Sequence, residues 1–256
     1  MMKKIIPILL LVILGCAPEK QHYKKDNYIH KFEVVALPQW IYEIPPGGDF
    51  VIGVSQKSFA RDDMIDAAKQ FAAVIKSRNS GSYNITKYAS SNEEVRTFTL
   101  NVSSSPEETH RIYNSLELID EAAFYDFFIA LFGTPESAMA ENYKTKIIRN
   151  YPDWFPENSL IIQENSILSY ASASSSNLVS AWERAAEIAR LELAKYLEKQ
   201  VTGGIISTDE EIDKLIILET NRKLINMDIT RSFIFSELND ALLSYKVYLE
   251  MRMTDQ

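Results

Sequence analysis

Apolar and polar residues alternate strictly from Leu243 to Met253, near the end of the chain. A period of two predicts a strand with one buried and one solvated face. A second β-like stretch, residues 227–237, comes just before it, and Leu238-Asn239-Asp240 supplies turn residues between the two. This pattern predicts that the chain closes with an antiparallel hairpin.

A second predicted hairpin, residues 116–133, is apolar throughout its later strand. Tyr125, Phe127, Ile129 and Leu131 fall on one face, and the other face carries Phe128, Ala130 and Phe132. A strand that is apolar on both faces is expected to be covered on both. One cover is expected to be the helix of its own domain. The second face, assigned to Phe128 and Phe132, is expected to meet the other domain or another subunit.

Two alanine-rich stretches, residues 61–77 and 177–201, have apolar residues at spacings of three and four. That spacing predicts amphipathic helices. A short β-like run precedes each helix, at residues 50–55 and 166–171. The order strand, long helix, hairpin therefore occurs twice in the chain.

A shared entry motif, Pro-x-Trp, supports an internal repeat. Pro38-Gln39-Trp40 precedes the first copy and Pro152-Asp153-Trp154 precedes the second. The offset between the tryptophans is 114 residues, and that between the alanine pairs of the helices is 118. The pattern predicts an α+β fold of two tandem domains, each an antiparallel sheet packed on a long helix. We place these domains at residues 36–133 and 151–256, with a linker at 134–150.

Each copy also carries an insertion between its helix and its hairpin. In the first, residues 95–103 resemble a strand, and Ser105-Pro106 resembles a capped helix start. In the second, Gly203-Gly204 interrupts the chain, and residues 207–225 are predicted to form a helix capped by Ser207 or Thr208.

These motifs together resemble the LPP-twenty lipoprotein family. The resemblance is carried by Pro38-Gln39-Trp40, the strand at 51–54, the alanine pair of the first helix and the closing hairpin. In the second copy Ser169 stands where the family usually has a strand glycine. The resemblance implies a dodecin-like α+β fold, a non-enzymatic role in the cell envelope and, for some relatives, support of flagellar structures. It implies no catalytic residues.

The first 16 residues have the order of a bacterial secretory signal: a basic start, ten apolar residues and a small-residue site. The apolar run is shorter than the roughly 20 residues of a membrane-spanning helix. Residues 13–16, Ile-Leu-Gly-Cys, resemble a lipobox, which implies cleavage after residue 15 and lipidation of Cys16, the only cysteine. Residues 16–35 would then form a flexible tether. The alternative is that Cys16 is incidental, in an ordinary signal peptide or in a short core helix. Ala17 favours the outer membrane over the inner.

Composition excludes few functions but disfavours some. The formal net charge of −8 becomes −10 once residues 1–15 are removed, and an acidic chain is a poor nucleic-acid binder. None of the three histidines has a second ligand at helical spacing, so neither a metal nor another cofactor is expected. Acids at helix starts, such as Asp62 and Asp66, are better explained by the helix dipole.

The leading hypothesis is therefore a lipid-anchored, non-enzymatic envelope protein that works by contacting other proteins. Self-association into a homo-oligomer is one expected form of such contact. The alternative is a small-ligand or glycan binder, such as an adhesin, that uses a cleft between the domains lined by Tyr42, Tyr125 and Tyr170. Trp40 and Trp154 are either clamps of the entering chain or stacking platforms for a ligand. A third hypothesis is that the protein is an enzyme.

Overall fold

A computed structural model describes residues 35–80, 82–90, 93–103, 105–202, 216–223, 227–239 and 242–254. The predicted signal peptide, Cys16, and all but the last residue of the predicted tether lie outside these ranges. The chain from Phe32 to Gln256 is one compact unit. We call residues 36–133 its first half and residues 151–256 its second half.

In the described residues of the first half there are three helices and six strands. They are β1 (Leu37–Pro38), α1 (Gln39–Tyr42), β2 (Val51–Gln56), α2 (Arg61–Asn79), β3 (Ser82–Ser90), β4 (Glu93–Ser103), α3 (Pro106–Ser115), β5 (Glu117–Phe124) and β6 (Phe127–Gly133). Between the halves lie a short 3-10 helix (Glu141–Lys144) and β7 (Lys146–Ile147), which pairs with β1.

The second half contains β8 (Leu160–Gln163), β9 (Ser166–Ser175), α4 (Leu178–Thr202), β10 (Ile216–Lys223), β11 (Met227–Asn239) and β12 (Leu242–Thr254). The predicted long helices and both predicted hairpins are therefore confirmed. The fold is α+β with antiparallel sheets, as expected.

Local chemistry explains several of the boundaries. The Ser105 side chain accepts a hydrogen bond from the Glu108 amide at 3.0 Å, which caps α3 as the sequence predicts. The β5–β6 hairpin closes with a two-residue turn in which Tyr125 has a φ of 51°. The expected strand therefore starts two residues later, at Phe127, because Tyr125 takes the left-handed backbone conformation that the turn requires.

The main sheets of the two halves have the same strand order. The first sheet runs β2-β6-β5, and the second runs β8-β9-β12-β11. In each, the strand that precedes the long helix pairs with the last strand of the hairpin. The second sheet has one additional strand, β8, at its edge.

Both faces of β6 are buried, and the structure corrects which face meets the other half. Phe128 and Phe132 pack beneath α2 and α3, in one cluster with Ala68 and Ile112. Residues on the other face, such as Ile129, belong to a larger cluster that continues into the second half. The expected assignment of Phe128 and Phe132 to the outward face was wrong, because α2 packs on the side of the sheet that carries Gly53.

The larger cluster joins the two halves through α4. This helix packs on β9 and β12 of its own sheet and also contacts β2 of the first sheet. Five of its alanines are fully buried: Ala181, Ala185, Ala186, Ala189 and Ala194. Small side chains let helix and sheet backbones approach closely, so α4 has sheet residues near it on two sides.

The insertions of the two halves pair with each other. β10 from the second half is hydrogen-bonded to β3 from the first, giving a separate sheet of order β10-β3-β4. The predicted helix over 207–225 is therefore wrong at residues 216–223; its proposed caps, Ser207 and Thr208, lie outside the described residues. Ile216 and Ile217 are β-branched, and Thr220 and Asn221 are weak helix formers, so pairing with β3 outweighs helical periodicity.

Within the described part of the chain, no helix combines the length and the apolar character needed to cross a membrane.

Candidate functional site

A cavity of about 370 Å³ lies where the chain entering the first half meets the second sheet. We call it the seam pocket. One wall is the segment from Glu43 to Phe50, and the other is formed by residues 228–231 of β11 together with Glu250 and Arg252 of β12. Its volume is in the range of small-molecule sites.

The entry segment is fixed to the edge of β11. Glu43 forms an isolated antiparallel bridge with Arg231, and the Ile44 amide donates to the Thr230 carbonyl at 3.0 Å. Such a cover satisfies backbone groups that an edge strand would otherwise expose. After Ile44, two prolines and two glycines turn the chain around the pocket, and Gly47 takes a φ of +81° that favours glycine.

Glu250 is the most deeply placed charge in the wall, with 3% of its surface exposed. Its carboxylate accepts a hydrogen bond from the Thr230 hydroxyl at 2.6 Å and lies 3.5 Å from the Arg231 guanidinium. Burial, followed by the charge of this carboxylate, raises the pKa of Tyr170 to about 12. Buried charges in proteins are usually paired in this way.

The remaining charges form the rim of the pocket. Burial raises the pKa of Asp228, and Asp49 adds to the shift, while Lys76 and Arg252 oppose it. Lys76 forms an ion pair with Asp49. Counting the lining groups alone, four carboxylates face two guanidinium groups, so the pocket suits a polar ligand that carries hydrogen-bond donors or a positive charge.

Sequence reasoning missed this site. The alternation of β12 places Glu250 on the polar face, where a solvated carboxylate is the ordinary expectation. The only available signal is that β11 and β12 also carry Arg231 and Arg252 on their polar positions, so that pairing of the strands brings opposite charges together.

The two predicted tryptophan sites have different surroundings. Trp40 has no exposed surface, and its indole N–H donates to Asp120 at 2.9 Å, so its ring offers no face to a ligand. Trp154 is half-buried against Phe155 and Tyr170, and its indole N–H is buried without a hydrogen-bond partner. Neither lines the seam pocket.

The tyrosines expected around a shared cleft do not come together. Tyr42 packs on Phe233, and Tyr125 packs on Phe124. Tyr170 packs on Trp154 and Phe155 and does not line the seam pocket. The prediction of an aromatic cleft is therefore wrong, because these rings fill core and turn positions.

A second depression, of about 680 Å³, lies between α2 and α3 and belongs to the first half alone. His110, Asp66 and Tyr113 are among its lining residues. The Tyr113 hydroxyl donates to Asp66, and Gln70 donates to the same carboxylate at 2.7 Å. Among the described residues, no group of three or more histidine, cysteine or acidic side chains is placed to hold a metal ion.

Comparison with known proteins adds no relative: no family model matches the chain, and no curated protein or solved structure shows significant similarity to it.

Proposed function

We propose that this protein is a bacterial lipoprotein, anchored through Cys16 in the cell envelope, that works by contacting other envelope proteins rather than by catalysis. The observation that carries the proposal is the position of the only cysteine, directly after an apolar run of ten residues and a glycine. An acyl-modified cysteine with several chains binds a bilayer far more firmly than a single chain does.

The resemblance to the LPP-twenty family fits this proposal, as does a tandem dodecin-like arrangement. Two observations support the arrangement: both halves place a long helix between the first strand and a closing hairpin, and the corresponding strands pair in the same order. We assign the protein to the outer membrane, as Ala17 suggests.

Replacing the cysteine tests the anchor. The wild-type protein, made in a bacterium, is expected to incorporate labelled palmitate and to partition into detergent, whereas Cys16→Ser should do neither. Ala17→Ser is the matched control, since it changes the next residue and keeps the cysteine. Unchanged labelling and partitioning of Cys16→Ser would refute the lipoprotein proposal.

The seam pocket supports a second function, the binding of a small polar ligand. The observation that favours it is a buried glutamate in the pocket wall, held by the Thr230 hydroxyl and the Arg231 guanidinium. Thermal-shift screening with amines, amino acids and sugars is expected to find a compound that raises the melting temperature. Asp228→Asn should reduce that shift, and Asp62→Asn, on the exposed start of α2, should not. Equal shifts in both variants would exclude the pocket as the site.

A further inference from the structure

The two edges of the second sheet have different surroundings. At one edge, β11 is covered by the entry segment through the bridge between Glu43 and Arg231. At the other edge, β8 is hydrogen-bonded on one side to β9, and no other strand in the described part of the chain pairs with it. Ile162 of β8 is 61% exposed. The outer edge of β8 is therefore open to solvent.

The pairing of β8 with β9 shows which backbone groups point to this open edge. Ser159 accepts a hydrogen bond from the Tyr170 amide at 2.8 Å, and the register continues without a shift from there to the turn. Hydrogen-bonded pairs alternate with non-bonded pairs along an antiparallel ladder. The backbone groups of residues 159, 161 and 163 therefore point to β9, and those of Leu160 and Ile162 point outward.

The side chains of β8 do not protect its outer edge. Soluble proteins usually guard an edge strand with lysine, proline or a bulge, because free N–H and C=O groups invite pairing with another strand. β8 has the sequence Leu-Ile-Ile-Gln, and its register with β9 contains no bulge. An apolar edge with outward backbone groups is typical of a strand that pairs with a second chain.

We propose that β8 pairs in antiparallel orientation with β8 of a second copy, which joins the two four-stranded sheets into one sheet of eight strands. A two-fold axis at Ile161 makes this pairing self-complementary. Leu160 then lies opposite Ile162 of the second copy, and the two residues exchange both backbone hydrogen bonds. Ile161 lies opposite its own equivalent. Every central pair is therefore apolar, and every outward backbone group of these residues has a partner.

Charge also favours a second copy in this register. The acidic residues nearest to the strand, Glu157 and Glu164, fall opposite Asn165 and Asn158 of the second copy, so like charges do not face each other. A shift of the register by two residues in either direction keeps the outward backbone groups opposite each other. Such a shift leaves one kind of apolar pair and places the other apolar residues opposite polar ones.

The contact is short, so we expect a weak dimer. Three paired residues per chain bury far less than the roughly 1,200–2,000 Å² of a stable protein interface. Copies held on one membrane would meet at a higher effective concentration than copies in solution. The role of the pairing in the cell therefore rests on the proposed Cys16 anchor, whereas the pairing itself does not.

Disulfide trapping tests the register in a chain that starts at residue 17 and so has no cysteine of its own. Ile161→Cys places two thiols in a non-hydrogen-bonded pair, where Cα atoms about 4.5 Å apart allow a disulfide. Ile162→Cys leaves the two Cα atoms about 8–9 Å apart, which is too far for one. Under copper phenanthroline, we expect Ile161→Cys to form covalent dimers at least about tenfold faster than Ile162→Cys.

Random collisions would give the opposite order. Ile162 and Ile148 are both 61% exposed, and Ile161 is less exposed than either. Without specific pairing, Ile162→Cys and the control Ile148→Cys would therefore form covalent dimers at least as fast as Ile161→Cys. Faster trapping at the less exposed position is explained by the proposed register and not by accessibility.

A proline tests the backbone bonds separately. Ile162→Pro, added to Ile161→Cys, removes an outward N–H that β9 does not use, so it should abolish trapping and leave the melting temperature nearly unchanged. Ile162→Val, in the same background, keeps the N–H and should trap as before.

Three results would each overturn the proposal. The first is an equal trapping rate for all three cysteine variants. The second is the absence of a covalent dimer from Ile161→Cys, which would mean that the edge serves a different chain or none. The third is trapping that Ile162→Pro does not reduce. None of these readouts involves Cys16, so a failure here leaves the lipoprotein proposal standing.

Discussion

Buried polar side chains are the least expected features at the level of single residues. Arg190 has no exposed surface, and although its Nη1 donates to Asn79 at 2.8 Å, its other two nitrogens are buried without a partner. Burial and the neighbouring Arg78 lower the pKa of Arg190 to about 10, against the opposing effect of Glu187 and Glu183. Because Asn79 ends α2 and Arg190 lies on α4, this bond joins the two halves.

Tyr170 is the residue whose effect on the pH dependence of the free energy of unfolding is clearest. Its folded-state pKa of about 12 lies above the usual value near 10. A group whose pKa is raised on folding stabilises the folded state below the unfolded pKa and loses that contribution as the pH rises through the folded value. The free energy of unfolding should therefore fall between about pH 10 and 12.

Tyr170→Phe should make that alkaline loss shallower. Urea titrations at a series of pH values measure this loss. Tyr151→Phe is the control, since Tyr151 is 63% exposed, and an identical pH profile for both variants would contradict the assignment.

At the level of elements, the contact between β2 and α2 depends on a glycine. A Cβ added at Gly53 would lie 2.2 Å from the Ala68 carbonyl oxygen and 2.8 Å from the Phe132 ring. Ser169 is the corresponding residue of the second half by the sequence repeat; it is fully buried, and its hydroxyl has no hydrogen-bond partner. The two helices therefore meet their strands through different side chains.

Alanine substitution should separate these two positions. Gly53→Ala should destabilise the protein by about 1–3 kcal/mol, because the α2 backbone has to move away from the sheet. Ser169→Ala should be close to neutral or stabilising, since it removes a buried hydroxyl without a partner. Chemical denaturation of both variants measures the difference. A Gly53→Ala protein as stable as the wild type would mean that α2 does not pack this closely.

The sequence predicted a helix or strand correctly where a single periodic pattern was enough to define it. The long helices and the strict alternation of β12 have local signals, and the structure has them within a few residues. β10 has no such signal, because its strand form depends on a partner, β3, that lies more than a hundred residues away. The seam pocket was missed for the same reason: the entry segment and Glu250 come together only after both halves are packed.

For the whole molecule, the shared cluster predicts that the two halves unfold together. Phe127 of β6 packs edge-on against Tyr245 of β12 with ring centroids 4.9 Å apart, and Ile129 belongs to the same cluster as Trp182 of α4. The Asn79–Arg190 hydrogen bond and the Arg78–Glu183 ion pair, at 2.6 Å, add polar contacts between α2 and α4. Two domains connected only by a linker would have no such continuity.

Calorimetry of the chain from residue 17 should show one transition in which the calorimetric and van't Hoff enthalpies agree. Ile129→Ala should lower the melting temperature of that single transition, since deleting a buried isoleucine costs about 2–5 kcal/mol. Hydrogen exchange should then accelerate in β12 of the second half as well as in β6, because loss of the shared cluster affects both sheets. Ile148→Ala is the control, since Ile148 is 61% exposed, and it should leave exchange in both strands unchanged. Two separate transitions, with only the first-half one moved by Ile129→Ala, would show that the halves are independent domains that touch without sharing a core.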